Sequence, residues 1–293
     1  DRLWRIANLP TGSAYDPDTL DLVTRRLQKT GTFRSITLRE ADALNPDGTL
    51  DITATLVDEK KRRLGFGAEL SSLEGGTVSA YWMHRNLTKS ADRLRFDAEI
   101  GGLGGTTGID YSLGATYRRP ATVTRKTTLV LGAEIEHLDE PDFLSDRGEF
   151  TISADVETSQ NSTFSFGLGY RYSEVEDSLG SRSFSHVIFP INGSRDGRDT
   201  ALNPKSGTYF NADILPFVGV SGSASGVRVM ADGRGYLSFG DDDRFTLAGR
   251  LQLGSIAGAD YTEVPPDLLV YSGGGGTVRG QPYQSLDVDL GGG

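Results

Sequence analysis

The sequence predicts a mainly β protein in which a small α+β domain precedes a transmembrane antiparallel β-barrel. Apolar and polar residues alternate, segment after segment, from residue 62 to residue 257. These segments are about ten residues long, whereas strands of soluble proteins average nearer five or six residues. Residues 1–60 follow a different pattern, with helical spacing first and two short alternating segments after it.

The first predicted element is a helix. Asp16-Pro17 is typical of an N-cap followed by the first helical position, and Gly31 is typical of a helix end. Between them the apolar residues have helical spacing: Leu20, Val23 and Leu27. Residues 33–39 and 50–57 predict two strands, and Asn-Pro-Asp-Gly at 45–48 predicts a turn between them. Together these elements predict a small α+β domain.

The later segments predict the strands of the barrel. Within one of them, apolar residues alternate with full charges: Leu94, Phe96, Ala98 and Ile100 against Arg93, Arg95, Asp97 and Glu99. About eleven such segments lie between residues 62 and 257, as expected for a transmembrane barrel. The alternative is a soluble β-sandwich with one solvated face. The polar face does not become apolar anywhere, as a packed second sheet would require, and this favours the barrel.

The composition limits the classes of function. A net charge of -10 argues against a nucleic-acid partner, and the absence of cysteine excludes disulfides and thiol chemistry. The three histidines lack the spacing of metal ligands: His84, His137 and His186. The acidic run at 241–243 lacks spaced oxygen ligands and predicts a hairpin turn instead of a calcium site. We therefore expect no cofactor and no metal site.

The most distinctive stretch runs from Gly273 to Tyr283 and reads GGGGTVRGQPY. Four glycines suit neither a helix nor a strand interior, so they predict a loop whose backbone comes very close to another group. A phosphate-binding loop would need Gly-Lys-Ser/Thr, which is absent here. A flexible surface loop is the second interpretation, and the third depends on the surrounding fold. The planar guanidinium of Arg279 suits a carboxylate partner in a crowded space.

Four stretches resemble, in order along the chain, the BamA/TamA superfamily of outer-membrane assembly proteins. Residues 15–38 resemble a POTRA domain, and residues 84–96 (HRNLTKSADRLRF) resemble the hairpin between strands two and three of the TamA branch. Residues 198–210 (RDTALNPKSGTYF) resemble the entry to a mid-barrel strand, and VRG at 278–280 is similar to the family's loop-six signature. VRG alone is a weak signal, but four ordered matches together are a strong one.

The resemblance implies two domains. Residues 1–60 would be the last POTRA domain, incomplete at its N-terminus, and residues 61–293 an outer-membrane β-barrel that ends after the loop-six motif. A family barrel has sixteen strands, of which about eleven would be present here. An aromatic residue commonly follows VRG in the family, but this chain has Gln281, and Tyr283 is the candidate to take its place. The acidic partner of the loop arginine would lie beyond Gly293.

Two candidate sites follow. The resemblance assigns the loop-six site, which would fold into the lumen with its arginine paired to the inner wall: Gly273, Gly274, Gly275, Gly276, Val278, Arg279, Gly280 and Tyr283. The first barrel strand, residues 62–71, is interpreted as an incompletely paired edge that a client strand joins, because unpaired backbone groups are costly in lipid. The lateral-gate residues on it are Leu64, Gly65, Phe66, Gly67 and Ala68. Its two glycines would weaken its pairing, and close packing at a barrel corner is the alternative reason for them.

The resemblance implies an outer-membrane assembly factor that inserts or translocates β-barrel or autotransporter clients, and that is not an enzyme, since no bond is made or broken. The chain would lie in the bacterial outer membrane, with the POTRA domain in the periplasm. Its partners would be membrane lipid, unfolded clients and a periplasm-spanning protein of the TamB type. The POTRA edge near residues 33–39 would add a client or partner strand, or the domain would be a structural spacer.

Four alternatives remain open. A two-partner secretion pore and a BamA-type insertase belong to the same superfamily. An outer-membrane protease would use histidine and carboxylate groups at the lumen or rim, but it has no reason for a POTRA domain or a VRG loop. A passive porin would conduct ions through an unplugged lumen.

Overall fold

The computed structural model of the protein describes most of the chain: residues 2–9, 11–71, 75–105, 108–274, 276–278, 280–281 and 286. The first part, residues 2–58, is called the N-terminal module here. It consists of two helices followed by a hairpin: α1 (Arg2–Ala7), α2 (Pro17–Lys29), β1 (Phe33–Glu40) and β2 (Ile52–Asp58). None of the described helices is long and apolar enough to cross a membrane.

The start of α2 follows from its first residues. Asp16 has an extended backbone, and its carboxylate accepts a backbone N–H two residues on at 3.1 Å, which caps the helix. Pro17 suits the first helical position because it has no N–H to leave unpaired. The two helices pack together through four buried apolar residues: Ile6, Ala7, Val23 and Leu27. The predicted helix and both predicted strands are confirmed, and Arg2–Ala7 forms a further helix before them.

Twelve strand segments form one antiparallel sheet: β3 (Arg62–Ser71), β4 (Gly75–Arg85), β5 (Arg93–Leu103), β6 (Tyr111–Arg119), β7 (Thr127–Glu140), β8 (Phe143–Ser159), β9 (Ser162–Asp177), β10 (Gly180–Ile188), β11 (Ile191–Asp196), β12 (Gly207–Val220), β13 (Gly226–Phe239) and β14 (Phe245–Ala257). Among the described residues, β3 and β14 are the two ends of this sheet. β10 and β11 both lie between β9 and β12, so they are two halves of one strand interrupted at Phe189-Pro190. In the described part of the chain, twelve segments therefore occupy eleven strand positions, in agreement with the predicted number of about eleven between residues 62 and 257.

The two faces of the sheet differ as the alternation predicts. The apolar face carries exposed large side chains such as Leu64, which is 64% exposed, and Phe66, which is 82% exposed. The polar face carries ion pairs such as that between Arg234 Nη2 and Asp232 Oδ2, at 2.7 Å. An exposed apolar face that continues from strand to strand is the pattern of a sheet whose outer surface meets lipid.

The N-terminal module lies against the turns at one end of the sheet. Ala91 of the β4–β5 turn and Ala121 of the β6–β7 turn are buried in the same cluster as the apolar residues of α1 and α2. Arg5 of α1 donates to the carbonyl oxygen of Ala121 at 3.3 Å. Lys29 Nζ, at the end of α2, lies 3.1 Å from Glu157 Oε1. Apolar and polar contacts together therefore hold the module against this end of the sheet.

Candidate functional site

The chain after β14 returns across the polar face of the sheet. Residues 258–274, called the return segment here, carry fully buried apolar side chains that include Val264 and Leu268. Val264 and Leu268 pack on Ile188 of β10 and Phe217 of β12. The polar face is locally apolar here, so the expectation that it does not become apolar anywhere is wrong at this place. The contact places the return segment over the middle strands of the sheet.

A second apolar contact lies further along the return segment. Tyr271 packs against a buried cluster from β8, β9 and β10: Phe143, Val175 and Phe184. Burial raises the pKa of the Tyr271 phenol to about 12, and nearby carboxylates, Asp267 first among them, act in the same direction. The ring is therefore held as a neutral group between strands and loop.

A buried ion-pair cluster lies beneath the return segment. Asp267 stands in a short 3₁₀ turn that runs from Pro266 to Leu268, and its side chain is 4% exposed. Its Oδ2 pairs with Arg171 Nη2 of β9 and lies 3.6 Å from Arg147 Nη1 of β8. Asp267, Arg147 and Arg171 are called the anchor cluster here.

Further carboxylates on the strands contact the same arginines. Arg147 Nη2 lies 2.6 Å from Glu136 Oε2, and Arg171 Nη1 lies 3.7 Å from Glu149 Oε2. Arg147 Nη2 also lies 2.9 Å from Glu134 Oε2, so Arg147 faces two carboxylates of the sheet, Arg171 faces one, and both share the carboxylate of Asp267. An uncompensated charge is costly out of water, so these shared ion pairs hold the return segment against the polar face of the sheet.

The glycine run that follows the return segment also contacts the wall. Arg250 Nη1 of β14 donates to the carbonyl oxygen of Gly276 at 3.0 Å, and its Nη2 lies 2.8 Å from Asp232 Oδ2 of β13. Within the run, the backbone N–H of Gly273 donates to Thr277 Oγ1 at 2.8 Å, which closes a tight turn. The glycine run is therefore held by the side chain of Thr277, which lies within it, and by Arg250 of the sheet.

The predicted loop-six residues lie at this turn. Gly273 and Gly274 are buried, with φ of +113° and +88°, a left-handed backbone that favours glycine. Three others are exposed: Gly276, Val278 and Gly280. The remaining three lie outside the described residues: Gly275, Arg279 and Tyr283. The pairing of the loop arginine with the inner wall therefore stays a prediction.

The predicted lateral-gate residues lie on β3. A side chain added at Gly65 would overlap the ring of Tyr81, and one added at Gly67 would meet Ser79 Oγ at 2.6 Å. The Arg95 guanidinium stacks on Tyr81, 4.3 Å from the ring centroid. The other three lateral-gate residues alternate with the glycines and belong to the apolar face: Leu64, Phe66 and Ala68. Close packing is thus one reason for both glycines, and the role of the strand as a gate stays a prediction.

The sequence reasoning missed the anchor cluster and Arg250. Charged residues recur on the polar faces of many strands, so none of them stood out from a solvated position. The one local signal at Asp267 is the Pro265-Pro266 pair directly before it, which predicts a turn ahead of the glycine run.

Comparison with protein families shows where this architecture belongs. The Omp85 superfamily domain matches residues 86–292. The chain belongs to the Omp85 superfamily. Omp85 barrels reside in the bacterial outer membrane, so the apolar face of this Omp85 chain is the one that meets lipid.

Solved structures with a similar fold include BamA from Haemophilus ducreyi lacking POTRA domains 1-3, at 17% identity and a TM-score of 0.77, over 97% of this chain and 57% of that chain. CdiB from Escherichia coli is 11% identical with a TM-score of 0.59, over 96% and 55% of the two chains. CdiB from Acinetobacter baumannii is 14% identical with a TM-score of 0.60, over 97% and 54%. The Omp85 chain thus spans little more than half the length of each, and the likeness concerns the fold alone. A search of curated protein sequences found no match.

Proposed function

We propose that this Omp85 chain is part of an outer-membrane assembly factor of the TamA branch, which inserts or translocates β-barrel or autotransporter clients. The superfamily match supports the proposal. So does the TamA-like stretch at 84–96, which forms the end of β4, the β4–β5 turn and the start of β5. In this proposal residues 61–293 belong to the barrel, and residues 1–60 are the last POTRA domain.

The observation that carries the proposal is the position of β3. β3 is the first strand in the sheet order of the described residues, and it pairs with β4 along one of its edges. Backbone N–H and C=O groups without partners are costly in lipid, and a strand edge of this kind accepts another strand by β-augmentation. We propose that a client strand joins β3 and is released as its own barrel closes.

The glycines of β3 suit temporary pairing. Gly65 and Gly67 carry no side chain that could pack on the polar side of an added strand, and Tyr81 fills the space above Gly65 from β4. An added strand would be held there mainly by backbone hydrogen bonds. Such pairing is easier to exchange than pairing with side-chain contacts on both faces.

The N-terminal module offers a second surface for strand addition. β1 uses one edge to pair with β2, and its other edge has no strand partner among the described residues. We propose that this edge, in the periplasm, receives client segments or a periplasm-spanning partner of the TamB type. Membrane lipid contacts the apolar face of the sheet, and the net charge of -10 makes nucleic acid an unsuitable partner.

The loop-six motif would complete the lumen. We propose that Arg279 pairs with the inner wall as in the family pattern. The contact between Arg250 and Gly276 supports this, because it keeps the glycine run within reach of charged side chains on β13 and β14. The return segment, which covers part of the polar face, favours a plugged lumen over the open lumen of a passive porin.

Cross-linking to a stalled client tests strand addition. The chain has no cysteine, so Phe66→Cys in the full-length protein, with any cysteine outside this chain replaced by serine, reports on β3 alone. Leu113→Cys is the matched control, because Leu113 is also exposed on the apolar face but lies on β6, inside the sheet. A client with a cysteine in its terminal strand should form adducts at position 66 and not at 113. Equal adducts at both positions, or none at 66, would reject the proposal.

The nature of the clients separates the branches. Depletion of an assembly factor should reduce the amount of folded β-barrel or autotransporter protein in the outer membrane. A two-partner secretion pore would instead be indicated if depletion blocks release of one soluble protein and leaves barrel assembly unchanged.

A further inference from the structure

We infer that Asp267 is a second anchor of loop six, a positioning residue that holds the return segment on the polar face through Arg171 and Arg147 independently of Arg279. The inference rests on the proposed function in one respect only, that this loop plugs the lumen. The contacts that carry it lie entirely within described residues.

At the anchor cluster, the loop and the sheet carry charges opposite to those expected for loop six. In the family pattern the loop supplies the cation, Arg279, and the wall supplies the carboxylate. At the anchor cluster the loop supplies the carboxylate of Asp267 and the wall supplies two guanidiniums. The side chains of Asp267 and Arg171 are 4% and 5% exposed, so the pair lies out of water, where loss of one partner leaves a costly unpaired charge.

The strands alone do not replace this contact. Without the Asp267 carboxylate, the ion-pair partner that remains for Arg171 is Glu149, 3.7 Å away. Several polar atoms beside the cluster have no hydrogen-bond partner in the described part of the chain: Arg171 Nε, Asp267 Oδ1, Ser145 Oγ and Ser173 Oγ. A buried site in which some polar atoms lack hydrogen-bond partners depends strongly on the hydrogen bonds and ion pairs that it does form. The pairing of Arg171 therefore rests mainly on Asp267, whereas Arg147 also has Glu134 and Glu136 on the sheet.

The apolar contact nearby does not set the position of the segment by itself. Val264 and Leu268 pack on Ile188 and Phe217 through apolar contact, which has no direction. A charge-assisted pair has a preferred geometry and therefore selects one arrangement of the segment on the wall. We conclude that Asp267 sets the register together with Arg182 of β10, whose Nη1 donates to the carbonyl oxygen of Thr262, and that the apolar side chains add to the stability.

Two of the polar contacts between the loop and the sheet lie on different strands. Asp267 meets β8 and β9, whereas Gly276 meets Arg250 on β14. Residues 268–275 separate the two contacts along the chain. A change at Arg279 should therefore leave the Asp267 contact in place.

A buried cysteine measures whether the return segment is in position. Val264→Cys is a small change of volume at a position that is 0% exposed, and the chain has no other cysteine. The rate of maleimide labelling at position 264 in the full-length protein, with any cysteine outside this chain replaced by serine, reports opening of the segment. We expect Asp267→Asn to raise this rate roughly tenfold or more. Asp260→Asn, which changes an exposed carboxylate of the same segment, is the control and should leave the rate unchanged.

Arg279→Ala in the same background separates the two anchors. Unchanged labelling supports independence, and an increase as large as that of Asp267→Asn overturns it. An unchanged rate in a folded Asp267→Asn protein also overturns the inference. If that variant does not fold, Arg147→Gln is the alternative, because it keeps the Arg171–Asp267 pair. It should raise the labelling rate by a smaller factor. An unchanged labelling rate in Arg147→Gln would count against the anchor. The labelling assay needs no client. A result that overturns the anchor is therefore distinguishable from a result that rejects client-strand addition.

Discussion

Arg250 of β14 contacts Gly276 and Asp232 at once: its Nη1 donates to the carbonyl oxygen of Gly276 at 3.0 Å, while its Nη2 lies 2.8 Å from Asp232 Oδ2. The planar fork of a guanidinium allows both contacts without a change of rotamer. The carboxylate orients the arginine, and the arginine binds the backbone of the glycine run. Arg250 therefore links loop six to the last two described strands of the sheet.

Arg250→Ala should loosen the glycine run. The Arg250 side chain is partly exposed, so we expect a local loss of about 1 kcal/mol, which corresponds to roughly fivefold more frequent opening. Trypsin cleaves after arginine, and the rate of cleavage at Arg279 in the folded protein measures this opening. Arg244→Ala, in the exposed β13–β14 turn, is the control. Equal cleavage rates in the two variants would contradict the assignment.

Ala121→Leu should separate the N-terminal module from the sheet. Ala121 is buried against α1 and α2 and has a φ of +50°, so a larger side chain meets both a packed neighbour and an unfavourable backbone. Overpacking of this kind costs about 1–3 kcal/mol. Faster hydrogen exchange of the α1 and α2 amides would show the separation. Val123→Leu, at an exposed position of the same turn, should leave exchange unchanged, and protection that survives in Ala121→Leu would argue against docking at this turn.

Gly65→Ala should destabilise β3 because of Tyr81. The added methyl group overlaps the tyrosine ring, which is also held by Arg95. We expect a loss of about 1–3 kcal/mol from this overlap. The loss should shrink in a Tyr81→Ala background, and a double-mutant cycle on unfolding free energies measures the coupling. Additive effects of the two substitutions would show that the glycine is there for another reason.

The elements that sequence reasoning predicted depend on local rules. Strand alternation decides which side chains face lipid, so the eleven strand positions and their two faces could be predicted from spacing alone. The start of α2 likewise depends on Asp16 and Pro17, which act on their immediate neighbours. Each of these features is determined within a few residues.

The features that sequence reasoning missed depend on contacts between distant segments. Arg171 and Asp267 are 96 positions apart, and they meet only because the return segment crosses the sheet at that place. The packing of Tyr81 over Gly65 similarly requires the register between β3 and β4. A residue's sequence neighbours carry no signal for either contact, so charged positions on the polar face could not be ranked in advance.

Tyr271 should ionise at an unusually high pH. Burial, reinforced by nearby carboxylates, raises the pKa of its phenol to about 12, whereas tyrosine in an unfolded chain has a pKa of about 10. Since the folded value is the higher one, the stability that this group contributes is fully present below pH 10 and is lost as the pH rises through 12. Phenolate absorbance of the parent protein minus that of Tyr271→Phe isolates this group, and its midpoint should lie near pH 12. Tyr261→Phe, at an exposed position of the return segment, should leave the high-pH component in place. A difference midpoint near pH 10 would show that the Tyr271 ring is not held between the strands and the loop.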